Sequence, residues 1–218
     1  MTDGSAAEAD GDRRGGRRPK GMVRSGLVRA GVELARAGGP DAVTLREATR
    51  TVGVVPNAAY RHFSNRDALL NAVCVEAMRL LVERMEHELD LVTARPGTRD
   101  GAMDRLGAVG TAYLGFAIAE PGLFDTVFAV PGHIRFGDSQ PDSTAEGRTP
   151  LLVLSGVLDE LVTAGVLPAE RRPNAEFTVW FCVHGLAMLR NHGPLRDMPD
   201  AVNAALTDAL YAFIRRGL

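Results

Sequence analysis

The chain has 218 residues, 45% of them hydrophobic and 24% charged, with a formal net charge of −2. That composition belongs to a soluble globular protein of one ordinary domain plus a small one. No run of about 18 apolar residues occurs, which excludes an expected membrane span.

Residues 1–21 are polar, rich in Gly and Arg, and without periodicity, as expected of a disordered basic tail. Its run RRGGRRPKG (13–21) is suited either to reaching along DNA phosphates or to simple solubilisation. Val23, Leu27, Ala30 and Leu34 recur at helical spacing and predict a first helix over about 23–37, ended by Gly38-Gly39-Pro40. Thr44 and Glu47 then have the spacing of a capping box, hydroxyl to the third amide and carboxylate back to the cap amide. They open a short helix over about 45–52, with Leu45, Ala48 and Val52 on one face and Gly53 placed to end it in left-handed geometry. Pro56 opens another helix over about 56–63, since its missing N–H is one that a helix start does not use. There Ala59 and Phe63 face inward, while Asn57, Tyr60, Arg61 and His62 face outward. Two such helices joined by a tight turn make a helix-turn-helix over about 45–64, whose second helix enters the major groove of DNA.

A Ser64-Asn65 cap starts a long helix, expected to run to about residue 91 and so to span roughly 38 Å, enough to join two domains. After a loop at 94–101, helices are expected over about 102–119, in one or two turns at 123–128, and over about 150–164, 173–191 and 199–215. The Pro- and Gly-containing stretch 129–149 reads as a long irregular loop. There is no strand-like alternation and no internal repeat. The expected fold is all-α, about nine helices, with a small head at 22–75 and a helical body at 76–218.

Charge divides along the same line. Residues 1–70 hold 12 Lys+Arg against 8 Asp+Glu, and residues 71–218 hold 13 against 19. A small basic module on an acidic body is the footprint of a nucleic-acid binder. Other chemistries lack a motif. There is no Gly-x-Ser-x-Gly, phosphate-binding loop, dinucleotide fingerprint or His-Glu-x-x-His, so no enzyme activity and no cofactor are expected. His62, His87, His133, His184 and His192 show no metal-ligand spacing. Cys74 and Cys182 fall in predicted helices without a Cys-x-x-Cys motif. With no secretory signal, they point to reduced thiols in a cytoplasmic protein.

DAVTLREATRTVGV, Tyr60-Arg61-His62-Phe63 and NRDALLNAV together resemble the DNA-binding domain of the TetR family of transcriptional regulators, over roughly residues 23–75. More distantly, YLGFAIAEPGLFDTVF (113–128) and Trp180-x-x-x-His184-Gly185 resemble the regulatory domain of a TetR subgroup named for a Trp-His-Gly signature. One departure is Val55, where the family usually has a Ser or Thr cap; losing such a cap typically costs about 1 kcal/mol.

The resemblance implies that Asn57 and Ala58 lie nearest the base edges of a double-stranded operator, and that Tyr60, Arg61 and His62 reach phosphates or flanking bases. Thr44, Arg46 and Arg66 are placed for backbone phosphates at helix starts. It also implies a homodimer through the last two helices and a palindromic operator.

In the body, Trp180, His184 and Met188 share a helix face, opposite Met103, Tyr113, Phe116, Phe124 and Phe128. These residues describe either a pocket for a small hydrophobic or aromatic effector, with His184 or Tyr113 as its polar contact, or a packed core with a satisfied histidine. The expected function is a repressor released by that effector. An activator, or a helical effector- or partner-binding protein with a vestigial DNA head, fits the same residues.

Overall fold

The computed structural model describes residues 20–130 and 148–218, the side chains from residue 22 onward. The basic tail before residue 20 and most of the 129–149 loop lie outside the described residues. Nine α-helices and one 3-10 turn make up the described chain.

Helix α1 (Lys20–Ala42) turns Leu27, Ala30, Val32 and Ala35 into the core. It leaves helical geometry at Gly38 and Gly39, where the sequence pattern places its end, and resumes for one turn around Pro40. Helix α2 (Leu45–Val52) stops at Gly53, whose φ of 74° and ψ of 37° are the left-handed conformation that glycine adopts without steric cost. Helix α3 (Pro56–Tyr60) is shorter than the expected 56–63. The amides of His62 and Phe63 both bond the Ala59 carbonyl, so the chain tightens there before Ser64 and Asn65. The turn carries Phe63 into the core, where it is 3% exposed.

Helix α4 (Arg66–Asp90) is capped by the Asn65 side chain, which accepts the Ala68 amide at 2.9 Å. Its buried stripe joins both parts of the molecule: Leu69, Leu70 and Val73 under the head, Leu81, Met85 and Leu89 under the body. Helix α5 (Arg99–Ala119) begins three residues before the expected start, because the Thr98 hydroxyl accepts the Gly101 amide and caps it. Helices α6 (Pro121–Phe128) and α7 (Pro150–Thr163) follow, α7 capped by Thr149.

A 3-10 turn at Ala169–Arg171, absent from the sequence expectation, leads into α8 (Ala175–Asn191). Arg172 accounts for the altered start. Its guanidinium bonds Asp159 and Ser155 of α7 and Glu176 of α8, drawing the turn against both helices. Helix α9 (Asp200–Gly217) closes the chain against α8. No helix among the described residues is long and apolar enough to cross a membrane.

Candidate nucleic-acid interface and aromatic core

The head is built to hold α3 outward on two small buried contacts. Ala59 and Phe63 anchor it, at 0% and 3% exposure. Asn57, Tyr60 and Arg61 are exposed on its far side, and Ala58 and His62 are half-buried. With the shorter helix, Arg61 is its C-cap and His62 lies beyond it. Val55, in the cap position, gives no side-chain hydrogen bond and is 68% exposed, so Pro56 alone preorganises the start.

Thr44 caps α2 by accepting the Glu47 amide at 3.2 Å. The return arm of the capping box is absent among the described residues. The Glu47 carboxylate pairs instead with Arg50 at 2.8 Å, since a charge-assisted bond one turn along outcompetes a neutral backbone amide. Arg46 is exposed at the first turn of α2.

Arg66 has a different setting from the free phosphate-facing one expected. Its guanidinium bonds the carbonyls of Val43 at 2.9 Å and Pro40 at 2.6 Å, with Asp41 and Asp67 nearby. It holds the α1–α2 connection against the start of α4. The Val43 carbonyl lies just past the end of α1, and the Pro40 carbonyl, which also accepts the Val43 amide, lies in its last turn, so one arginine fork ties both to α4. Sequence reading passed over Arg24, whose guanidinium carbon lies 5.3 Å from the centre of the Phe63 ring. No spacing rule links residues so far apart in sequence.

In the body, Tyr113, Phe124, Phe128, Trp180 and His184 come together from α5, α6 and α8. Phe128 lies 4.7 Å from His184 and 6.1 Å from Trp180, while Phe124 lies 5.6 Å from Tyr113 and 5.1 Å from Phe128. These are favoured edge and offset ring distances. A hydrogen-bonded chain runs through them. Trp180 Nε1–H donates to the Tyr113 oxygen at 3.0 Å, and that oxygen lies 2.8 Å from His184 Nδ1. Burial holds the tyrosine neutral by raising its pKa. The neutral hydroxyl has a proton to donate to Nδ1, and in that tautomer the imidazole carries its own proton on Nε2. Burial also lowers the His184 pKa, favouring that neutral ring.

Three expected pocket residues stand apart. Met188 is exposed, because two turns along α8 carry it around the helix from Trp180. Met103 is ten residues before Tyr113, about 15 Å along α5. Phe116 is buried but makes none of these ring contacts. A separate polar cleft of about 340 Å3 opens elsewhere between α4, α5 and α7, lined in part by Glu86, Arg105, Arg148 and Glu160. Ion pairs Arg105–Glu160 at 2.7 Å and Arg148–Glu86 at 3.3 Å already engage both of its arginines.

Helix α6 touches both regions. One side carries Phe124 and Phe128 into the aromatic cluster. Its first turn abuts α1 so closely that a Cβ on Gly122 would lie 2.1 Å from the Ala35 carbonyl oxygen. Arg36 pairs with Glu120 across the same junction at 3.1 Å. Further along, the Cys74 thiol of α4 donates to the Val127 carbonyl at 3.2 Å, and burial pushes its pKa up to about 11. Cys74 and Cys182 are both free thiols.

Comparison with known proteins agrees with this arrangement. The family described as "Bacterial regulatory proteins, tetR family" matches residues 27–73, and "Tetracyclin repressor-like, C-terminal domain" matches residues 106–213. The chain is 27% identical over 153 residues to the HTH-type transcriptional regulator Rv1816 of Mycobacterium tuberculosis, a match covering 69% of this chain and 60% of that protein's length. It is 30% identical over 140 residues to the uncharacterized HTH-type transcriptional regulator YobS of Bacillus subtilis, covering 64% of this chain and 69% of YobS. A solved structure of a protein with unknown function from Rhodococcus sp. RHA1 shares the fold, with a TM-score of 0.67 at 23% identity over 96% of this chain and 99% of that one. With a helix-turn-helix head on an all-α body and both family domains matched in order, the chain belongs to the TetR family of transcriptional regulators.

Proposed function

We propose that this protein is a cytoplasmic, homodimeric repressor that binds a palindromic operator through α3 and releases it when a small hydrophobic or aromatic effector enters the body. The observation that carries the reading is the exposed face of the helix-turn-helix. Asn57, Tyr60 and Arg61 stand outward, and neither Arg46 nor Arg61 has a carboxylate partner among the described residues. Unneutralised guanidinium groups on a face of this shape favour a polyanion. In this reading Asn57 and Ala58 contact base edges, while Thr44, Arg46, Tyr60, Arg61 and His62 contact the backbone. The head is residues 22–75, and 76–218 regulate it.

An apolar surface on the last two helices supports the dimer. Phe181 is 61% exposed and Phe213 64%, with Leu189, Val202 and Leu206 also exposed. Pairing these helices across a two-fold axis removes that surface from water and sets two copies of α3 toward successive turns of DNA.

The aromatic cluster is the proposed effector site. The His184 Nε2–H offers a hydrogen-bond donor, which fits a neutral aromatic or apolar molecule carrying an acceptor oxygen. A guest that parts Phe124 and Phe128 from His184 displaces α6, and α6 bears directly on α1 and α4. Reciprocity then requires operator DNA to weaken effector affinity by the same factor.

Binding to a duplex enriched from a random-sequence pool tests the reading. Arg61→Ala is expected to weaken binding by roughly ten-fold across sequences, and Asn57→Ala to relax the preference at one base position in each half-site. Binding that ignores both sequence and salt contradicts the repressor reading and favours a vestigial head, for which the uncapped Val55 is the supporting observation.

A further inference from the structure

The arginines of the head sort into two groups by what they touch. Arg36 is engaged by Glu120, Arg50 by Glu47, and Arg66 by two carbonyls. Arg24, Arg29, Arg46 and Arg61 have no carboxylate partner among the described residues. Arg24 differs from the others in being held by an uncharged surface. Its guanidinium lies 5.3 Å from the centre of the Phe63 ring, and that ring is fixed, being buried at 3% exposure.

A guanidinium on an aromatic ring is positioned without being neutralised, and its N–H donors remain available to a planar or tetrahedral oxyanion. The location matters as much as the chemistry. The Phe63 amide bonds the Ala59 carbonyl of α3, so the ring that seats Arg24 belongs to the turn leaving the recognition helix. Arg24 itself comes from the beginning of α1. It therefore sets a full positive charge beside the turn that follows α3, from a different helix.

We propose that Arg24 is a DNA-backbone anchor. It donates to an operator phosphate flanking the bases read by α3, and the Phe63 ring sets its direction. This rests on the DNA-binding reading of the head and adds to it a contact that the helix-turn-helix pattern does not contain. A phosphate contact of this kind contributes affinity without sequence preference.

The test measures the dissociation constant of the full-length protein against a duplex that the wild type enriches from a random pool, over a series of salt concentrations. Arg24→Gln is expected to weaken binding about five- to ten-fold on all sequences, and to reduce the log–log salt slope by about one. Its melting temperature should match the wild type. Arg24→Lys keeps the charge and so the slope, while losing affinity with the stacked fork. Arg79→Gln, whose guanidinium already pairs with Glu76 and Glu83 on α4, is the charge-loss control and leaves the slope unchanged.

A salt slope for Arg24→Gln equal to the wild type's, with affinity unchanged within two-fold, overturns the anchor while leaving DNA binding intact. Failure of the wild type to enrich or bind any duplex overturns the DNA-binding reading and the anchor with it.

Discussion

The head and the aromatic core use polar groups in opposite ways. In the head, Asn57, Tyr60, Arg46 and Arg61 are exposed, and the two arginines lack a carboxylate partner among the described residues. In the body, Trp180 donates to Tyr113, which in turn bonds His184, so the buried tyrosine hydroxyl is satisfied from both sides and the His184 Nε2 alone is left to a guest. In the proposed function an anionic partner completes the first arrangement. The second is closed, and a guest must open it at the cost of ring contacts and hydrogen bonds already made. Changes in the exposed face should therefore alter binding with little change in stability. Changes in the core should alter stability first and binding only through α6.

The largest expected effect lies in the core. Phe124→Ala removes a fully buried ring that touches Tyr113, Phe128 and His184, and should destabilise the protein by about 3–5 kcal/mol in urea unfolding. A loss under about 1 kcal/mol would mean that the cluster is loosely packed and already open to a guest.

Gly122→Ala comes next. Its Cβ cannot fit against the Ala35 carbonyl, so α6 must move from α1, at about 1–3 kcal/mol. DNA affinity should change together with stability in this variant, whereas unaltered DNA binding would remove α6 as the link between the regions.

On the head, Val55→Thr supplies the missing cap of α3 and should stabilise by about 1 kcal/mol, read as a higher melting temperature, with sequence preference retained. No stabilisation would show that Pro56 already preorganises the helix start.

The smallest effect is pH dependence. The His184 pKa is lower in the folded protein than in the unfolded chain, so the unfolded state binds more protons as pH falls. Stability is complete above about 6.5, the ordinary histidine value, and declines below it. Comparing urea midpoints across pH 5–8 for wild type and His184→Gln isolates this contribution, and identical slopes would contradict it. Tyr113 acts in the opposite range, its raised pKa causing stability to be lost as pH rises above about 10.

The helix pattern was legible because Gly, Pro and Thr mark its boundaries at short range. Thr44, Gly53, Pro56 and Asn65 each act where spacing predicts. The limits of that legibility are equally local. Phe63 pulls the end of α3 back by three residues, and Arg172 moves the start of α8, both through tertiary contacts that no short-range rule contains. The outward residues of α3 follow from helical periodicity. Arg66 does not, since its role depends on carbonyls at the end of α1 that only the folded chain brings to it. In the body, aromatic type and helical spacing brought Tyr113, Phe124, Phe128, Trp180 and His184 into one list. The same reasoning swept in Met188, whose angular drift around α8 leaves it exposed.

In the proposed function two copies of this head read a symmetric DNA site. Sequencing the duplexes that the full-length protein enriches from a random pool tests it most directly. One motif is expected, with two inverted half-sites centred about one helical turn apart, or a multiple of it, each losing a specified base in Asn57→Ala. Enrichment of a single asymmetric half-site, or of no sequence at all, would contradict it.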